Sequence, residues 1–147
     1  MNPIRITFKN RNQISTPEEL NEFENSLGGL VLPEDYRQHM LTYNGGIVRQ
    51  YDIVHKNYYG LGDGGISDFL SIKYGGYTVE KFNEDLSDRL PTGYLAIGFT
   101  SGGGDIIMSL NNDATYGNTK VRYTEGEKID LSPSFIKLLN DMVEAEY

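Results

Sequence analysis

Residues 94–124 run "YLAIGFTSGGGDIIMSLNNDATYGNTKVRYT". Three short segments rich in Ile, Val, Phe and Tyr, "YLAIGFT", "DIIMSLN" and "TKVRYT", are separated by turn-forming residues. Each is strand-length, and the breaks suit turns between antiparallel neighbours. The first break, Gly102–Gly103–Gly104–Asp105, has three possible meanings: a phosphate cradle, a metal loop, or the corner of a hairpin. The chain needs apolar helices to cover such a sheet, and the sequence supplies them.

"STPEELNEFENSLGG" predicts a first helix: Thr16 can cap it, Pro17 fits its first position, and Glu19 completes a capping box. Leu20, Phe23 and Leu27 form its apolar stripe, and Gly28 is the left-handed stop. A second helix starts at Pro33, with Tyr36, His39, Met40 and Tyr43 on one face, and ends at the turn Asn44–Gly45–Gly46. "TVEKFNEDLSDRLP" predicts a third, with Val79, Phe82, Leu86 and Leu90 inside and Glu84 and Asp88 opposite. "LSPSFIKLLNDMVEAEY" predicts a fourth, capped by Ser132, with Pro133 at its first position and Phe135, Leu138, Leu139, Met142 and Val143 on its apolar face. "MNPIRITFKN" alternates and reads as a strand, and residues 47–77 read as strands and turns broken by paired glycines. The expected fold class is α+β: a mixed, mostly antiparallel sheet with about four helices packed on it. The 147 residues suit one domain, with residues 1–14 as an N-terminal strand extension.

Composition narrows the chemistry. Without cysteine there is no disulfide framework, thiolate metal site or cysteine nucleophile, and a reducing cytoplasmic location is compatible. No apolar run approaches the ~18 residues of a membrane helix. A net charge of −8 repels nucleic-acid phosphates and anionic membranes and favours a basic partner. Arg5, Lys9 and Arg11 are too few to reverse this and read as the solvated side of an edge strand.

The remaining motifs do not build an enzyme. Gly60, Gly62 and Gly65 formally spell G-x-G-x-x-G, with Asp85 twenty residues on, but "ISDFLSIKY" follows as a strand and not as the crossover helix a dinucleotide loop needs. "SGGGD" lacks the Lys-Ser/Thr of a P-loop and precedes a strand, so a hairpin is the simplest account, with Asp105 bonding turn amides. A loop holding a small ligand is the competing account. The two histidines, His39 and His55, lie sixteen residues apart, and His39 reads as a hydrogen-bonded core residue. Asn111–Asn112–Asp113 reads as a polar loop without the closing Glu of a calcium site. No G-x-S-x-G elbow surrounds Ser101 or any other serine. No metal, cofactor or catalytic residue is expected.

Three ordered segments resemble the SUKH superfamily, the fungal cell-wall-assembly regulators and their bacterial relatives: "LPEDYRQHMLTYNGG", "LPTGYLAIGFTSGGGDIIMSLN" and "SFIKLLNDM". With the first helix, the resemblance spans residues 16–143. It implies an α+β fold, a Gly-Asp corner without a catalytic role, and function by binding. Many bacterial relatives look like immunity proteins that neutralise toxins, often nucleases, of polymorphic or contact-dependent systems; others are regulatory interaction modules. A non-catalytic protein that binds a basic cognate toxin domain is therefore expected. The alternatives are a regulatory scaffold of the cell-wall type and a small-molecule or nucleotide-binding domain built on the glycine loops. Charge and exposure-prone loops, not the resemblance, nominate the contact residues: Asp63, Asp68, Glu80, Glu84, Asp85 and Asp88, with Tyr58, Tyr59 and Tyr77 as aromatic anchors.

Overall fold

Helix α1 (Pro17–Asn25) begins as its sequence dictates: Glu19 N donates to Thr16 Oγ1 at 3.2 Å and Thr16 N donates to Glu19 Oε1 at 3.0 Å. The computed structural model describes residues 7–9, 12–48, 53–56 and 65–144. Along the chain follow α2 (Glu34–Thr42), α3 (Val79–Asp85) and α4 (Phe135–Asn140). The strands are β1 (Phe8–Lys9), β2 (Gly46–Val48), β3 (Ile53–His55), β4 (Ile66–Phe69), β5 (Tyr94–Thr100), β6 (Asp105–Ser109), β7 (Thr119–Arg122), β8 (Lys128–Asp130) and β9 (Met142–Glu144). No helix among the described residues is long and apolar enough to cross a membrane.

Seven strands form one sheet in the order β1-β2-β4-β5-β6-β7-β8, each paired antiparallel with its neighbours. A parallel element is confined to the isolated bridge Ser71–Thr78 among the described residues. The fold is α+β, as the sequence predicts. Because side chains alternate across a strand, register sorts the sheet into two faces. Phe69, Gly98, Ile106, Val121 and Ile129 lie opposite one another on the inner face. Helices α2 and α4 cover it: Phe135 meets Tyr36 edge-on at 5.2 Å and Phe69 at 5.5 Å, and His39 lies 5.0 Å from Phe135 and 4.7 Å from Phe8. His39 is buried and its Nε2 contacts the Gly45 carbonyl at 2.9 Å, the hydrogen-bonded core role expected of it.

Helix α3 closes an edge that β4 leaves open. Beyond Phe69↔Gly98 and Leu70 N–Ile97 O at 2.9 Å, β4 diverges from β5. There the Asn83 amide stands in for a strand, donating to Ala96 O at 2.7 Å and accepting from Ala96 N at 2.8 Å. Asn83→Leu leaves both backbone groups unpaired, and an expected loss of about 2–4 kcal/mol should appear as a lower urea midpoint at unchanged slope.

The end of the chain departs from expectation. Ser134, not Ser132, caps α4, accepting from Lys137 N at 3.1 Å, and Pro133 precedes the helix. The helix stops at Asn140, and Met142–Glu144 instead pairs antiparallel with Ile53–His55 as a separate ribbon. Met142 and Val143 are buried all the same. Long-range pairing with β3 satisfies residues whose spacing also fitted a helix.

Candidate functional site

The outer face of the sheet carries a second cross-strand row: Lys9, Ile47, Asp68, Phe99, Asp105, Arg122 and Lys128, one from each strand in sheet order. Helix α3 flanks this row, with Phe82 against Phe99 at 6.3 Å and Tyr77 against Phe82 at 5.8 Å. Tyr77 is 40% exposed, and its hydroxyl donates to Asp85 Oδ2 at 2.7 Å. Burial, then the bond to Asp85, pushes the phenol up to about 12, so it stays neutral. Between the row and the bend at residues 71–78 lies a cleft of about 520 Å³, lined by residues that include Asn12, Ile47, Asp68, Tyr77 and Phe99.

Of the residues nominated from sequence, Asp68 and Tyr77 line this cleft and Asp85 fixes its tyrosine wall. The other described acids do not join them. Glu80 accepts from Lys73 N at 2.9 Å and borders a different depression with Glu19 and Glu22. Glu84 and Asp88 are solvated, 3.9 Å from Lys81 and 3.3 Å from Arg89 respectively. Lys81 also pairs with Asp85 at 3.2 Å, so this helix face is mixed in charge and not uniformly negative. Tyr58, Tyr59 and Asp63 lie outside the described residues, as do Gly60 and Gly62 of the glycine motif.

The Gly-Asp corner is a hairpin turn between β5 and β6. Thr100 N donates to Gly104 O at 2.9 Å, Gly103 takes φ +90°, and exposed Gly102 sits at the tip. One expectation there is corrected: the turn amide of Gly104 is held by Thr100 Oγ1 at 3.0 Å, and not by Asp105. Asp105 belongs to β6, where its carboxylate accepts from Arg122 at 2.7 Å across the sheet. Burial raises the Asp105 carboxyl above its ordinary range, and the guanidinium only partly offsets that. Residues 102–105 contribute nothing to the lining of the cleft. Phe99 is the aromatic wall of the cleft that sequence reasoning missed, and Arg122 the missed partner of Asp105; strand alternation around the corner was the available signal.

A buried serine–histidine–aspartate group sits elsewhere, where β3 meets the end of α4. Ser132 Oγ lies 2.7 Å from His55 Nε2 and donates to Asp141 Oδ2 at 2.7 Å. With its proton on the carboxylate, the hydroxyl can only accept from the imidazole, the reverse of what nucleophile activation requires. Burial alone would push the Asp141 carboxyl up, yet hydrogen bonds from Lys137, Ser132 and Lys56 hold it at about 2. The group is a structural clasp. Among the described residues no cluster of three or more His, Cys, Asp or Glu could hold a metal ion.

Comparison with known proteins adds a family and one relative. The model of the SMI1 / KNR4 family (SUKH-1) matches residues 14–141. The SPbeta prophage-derived uncharacterized protein YokK of Bacillus subtilis (strain 168) is 27% identical over 114 residues, covering 67% of this chain and 59% of that protein. The chain thus matches about three fifths of that relative's length. No solved structure matches.

Proposed function

The chain belongs to the SMI1 / KNR4 family (SUKH-1), and from that premise we propose that it is a protein-binding module that performs no chemistry: an immunity protein that binds and neutralises a cognate toxin in the cytoplasm. The observation that carries this reading is the outer face of the sheet. It offers a cleft whose described lining residues include one carboxylate, the aromatic residues Phe69, Tyr77 and Phe99, and neither lysine nor arginine, on a chain of net charge −8. A nuclease must attract phosphates and is accordingly basic, so its surface complements the carboxylate of this cleft and the chain's net negative charge.

The test is stopped-flow association kinetics with titration calorimetry against a basic toxin domain cloned from a neighbouring reading frame, at rising salt. Association should weaken progressively with salt, because steering between opposite charges is screened. Reversing Glu84, Asp85 and Asp88 to lysine together should slow association by about tenfold or more. Unchanged rates would remove the electrostatic part of the proposal. The cleft's volume also falls within the range of small-ligand sites. Its carboxylate repels phosphate, so nucleotides should leave the melting temperature unchanged. A rise of several degrees with a nucleotide would transfer the assignment to ligand binding.

A further inference from the structure

We propose that the cleft between Asp68, Phe99 and Tyr77 seats an arginine side chain of the protein partner. The inference rests on the protein-binding reading above and names the contact within it.

The lining sets three requirements for an occupant. Asp68 is the charged group among the described lining residues, which disfavours an anion and favours a cation. Asp68 and Phe99 each also take part in an interaction within their own chain, but a carboxylate offers about four acceptor positions and a phenyl ring two faces, so each can serve a second partner. Tyr77 and Phe99 present rings from the α3 side and the sheet side, bridged by Phe82 between them. Flat, weakly hydrated cations stack on such rings while donating in the plane to a carboxylate, which describes guanidinium better than ammonium. Finally, the Asp85 bond holds the Tyr77 ring in place before anything arrives. Less rotamer entropy is then lost on binding. A second copy of this chain is a poor occupant, because two bodies of charge −8 repel each other.

The probe is a blocked tri-arginine peptide titrated into the full chain, followed by backbone amide shifts, with tri-citrulline and tri-lysine as controls. Shifts should centre on Asp68, Phe99 and Tyr77. Affinity for tri-arginine should exceed that for neutral tri-citrulline by about tenfold and that for tri-lysine by about threefold. Asp68→Asn should abolish the difference between arginine and citrulline. Equal binding of citrulline, a preference for lysine, or shifts centred on the exposed apolar residues Val31, Tyr116 and Ile136 would each overturn the proposal. Should Asp68→Asn fail to fold, Tyr77→Ala at its exposed position decides: retained arginine preference then sinks the inference. Failure of the broader reading looks different. A toxin domain that still binds tightly to Asp68→Asn and Tyr77→Ala refutes the arginine seat alone. A chain that takes up the peptide yet binds no toxin refutes the immunity role alone.

Discussion

Gly45→Ala should lower stability by about 4 kcal/mol or more, removing most of the margin a domain of this size usually has. Gly45 adopts φ +86°, which alone costs an alanine about 1 kcal/mol. The greater part of the loss is steric. A Cβ built there would stand 2.4 Å from Leu70 O, 2.6 Å from Leu70 C and 2.6 Å from Phe69 O. Those are backbone atoms at the end of β4, which cannot swing aside as a flexible side chain would. The neighbouring Asn44 makes the turn a junction as well. Buried and left-handed at φ +49°, it donates to Gln13 O at 2.9 Å and Ile72 O at 3.0 Å and accepts from Ile72 N at 2.8 Å. Gly46 follows at φ +112° as the first residue of β2. Moving this turn therefore disturbs the N-terminal segment, the end of α2 and the start of the 71–78 bend together. Gly28→Ala is the matched control, since Gly28 has φ +67° but nothing within 4 Å of its virtual Cβ. It should lose only about 1 kcal/mol in urea melts. Similar losses at the two sites would show that conformation, not backbone contact, governs Gly45.

The contrast between α1 and α4 shows what a sequence can disclose. Thr16, Pro17 and Glu19 act on amides within one turn, so four residues suffice to place that start, and both bonds of the box are present. Ser132 occupied an equally plausible capping position, but its hydroxyl is claimed by His55, seventy-seven residues away. No local pattern reveals that. Likewise, the hairpin at residues 100–105 was legible from its glycines, while the function of Asp105 was not. A small carboxylate after glycine reads as a turn former. Its partnership with Arg122 depends on cross-strand register, which is itself shifted by an irregularity between Ala96 and Gly98. Short strand β8 escaped notice because Lys128 and Asp130 are exposed and Ile129 alone carries an apolar signal. At the candidate site, Asp68 and Tyr77 could be nominated separately from charge and aromaticity. That they share a cleft, while Glu84 and Asp88 do not, follows from the bend at residues 71–78, which brings Tyr77 back beside β4 before α3 begins.

Acidification should destabilise the protein by up to about 4 kcal/mol between pH 7.5 and pH 5, the opposite of what its net charge suggests. With pI near 4.7 and charge −8, lowering the pH relieves overall repulsion and on that ground alone should stabilise. Two buried imidazoles oppose this. His39 lies among Phe8, Tyr43, Phe69 and Phe135, and burial lowers it from 6.5 to about 4, with the Gly45 carbonyl only partly compensating. His55 is fully buried, and burial likewise takes it to about 4 despite the attraction of Asp141. Both values lie below those of the unfolded chain, so the unfolded state binds protons that the folded state refuses. Stability is complete above about pH 6.5 and is lost as pH falls towards 4, each histidine contributing at most about 3 kcal/mol over the whole interval. Asp141 acts later: held at about 2 against an ordinary 3.8, it stabilises above pH 4 and loses that contribution only as pH falls through 2. Two measurements separate these origins. Urea unfolding at pH 7.5, 6, 5 and 4 should show stability falling steeply before any carboxylate effect begins. Imidazole C2–H shifts of the folded protein should show neither ring titrating above pH 5. Stability that is flat or rising from pH 7.5 to 5 would mean that the rings accept protons where they sit, and that surface repulsion outweighs the two histidines.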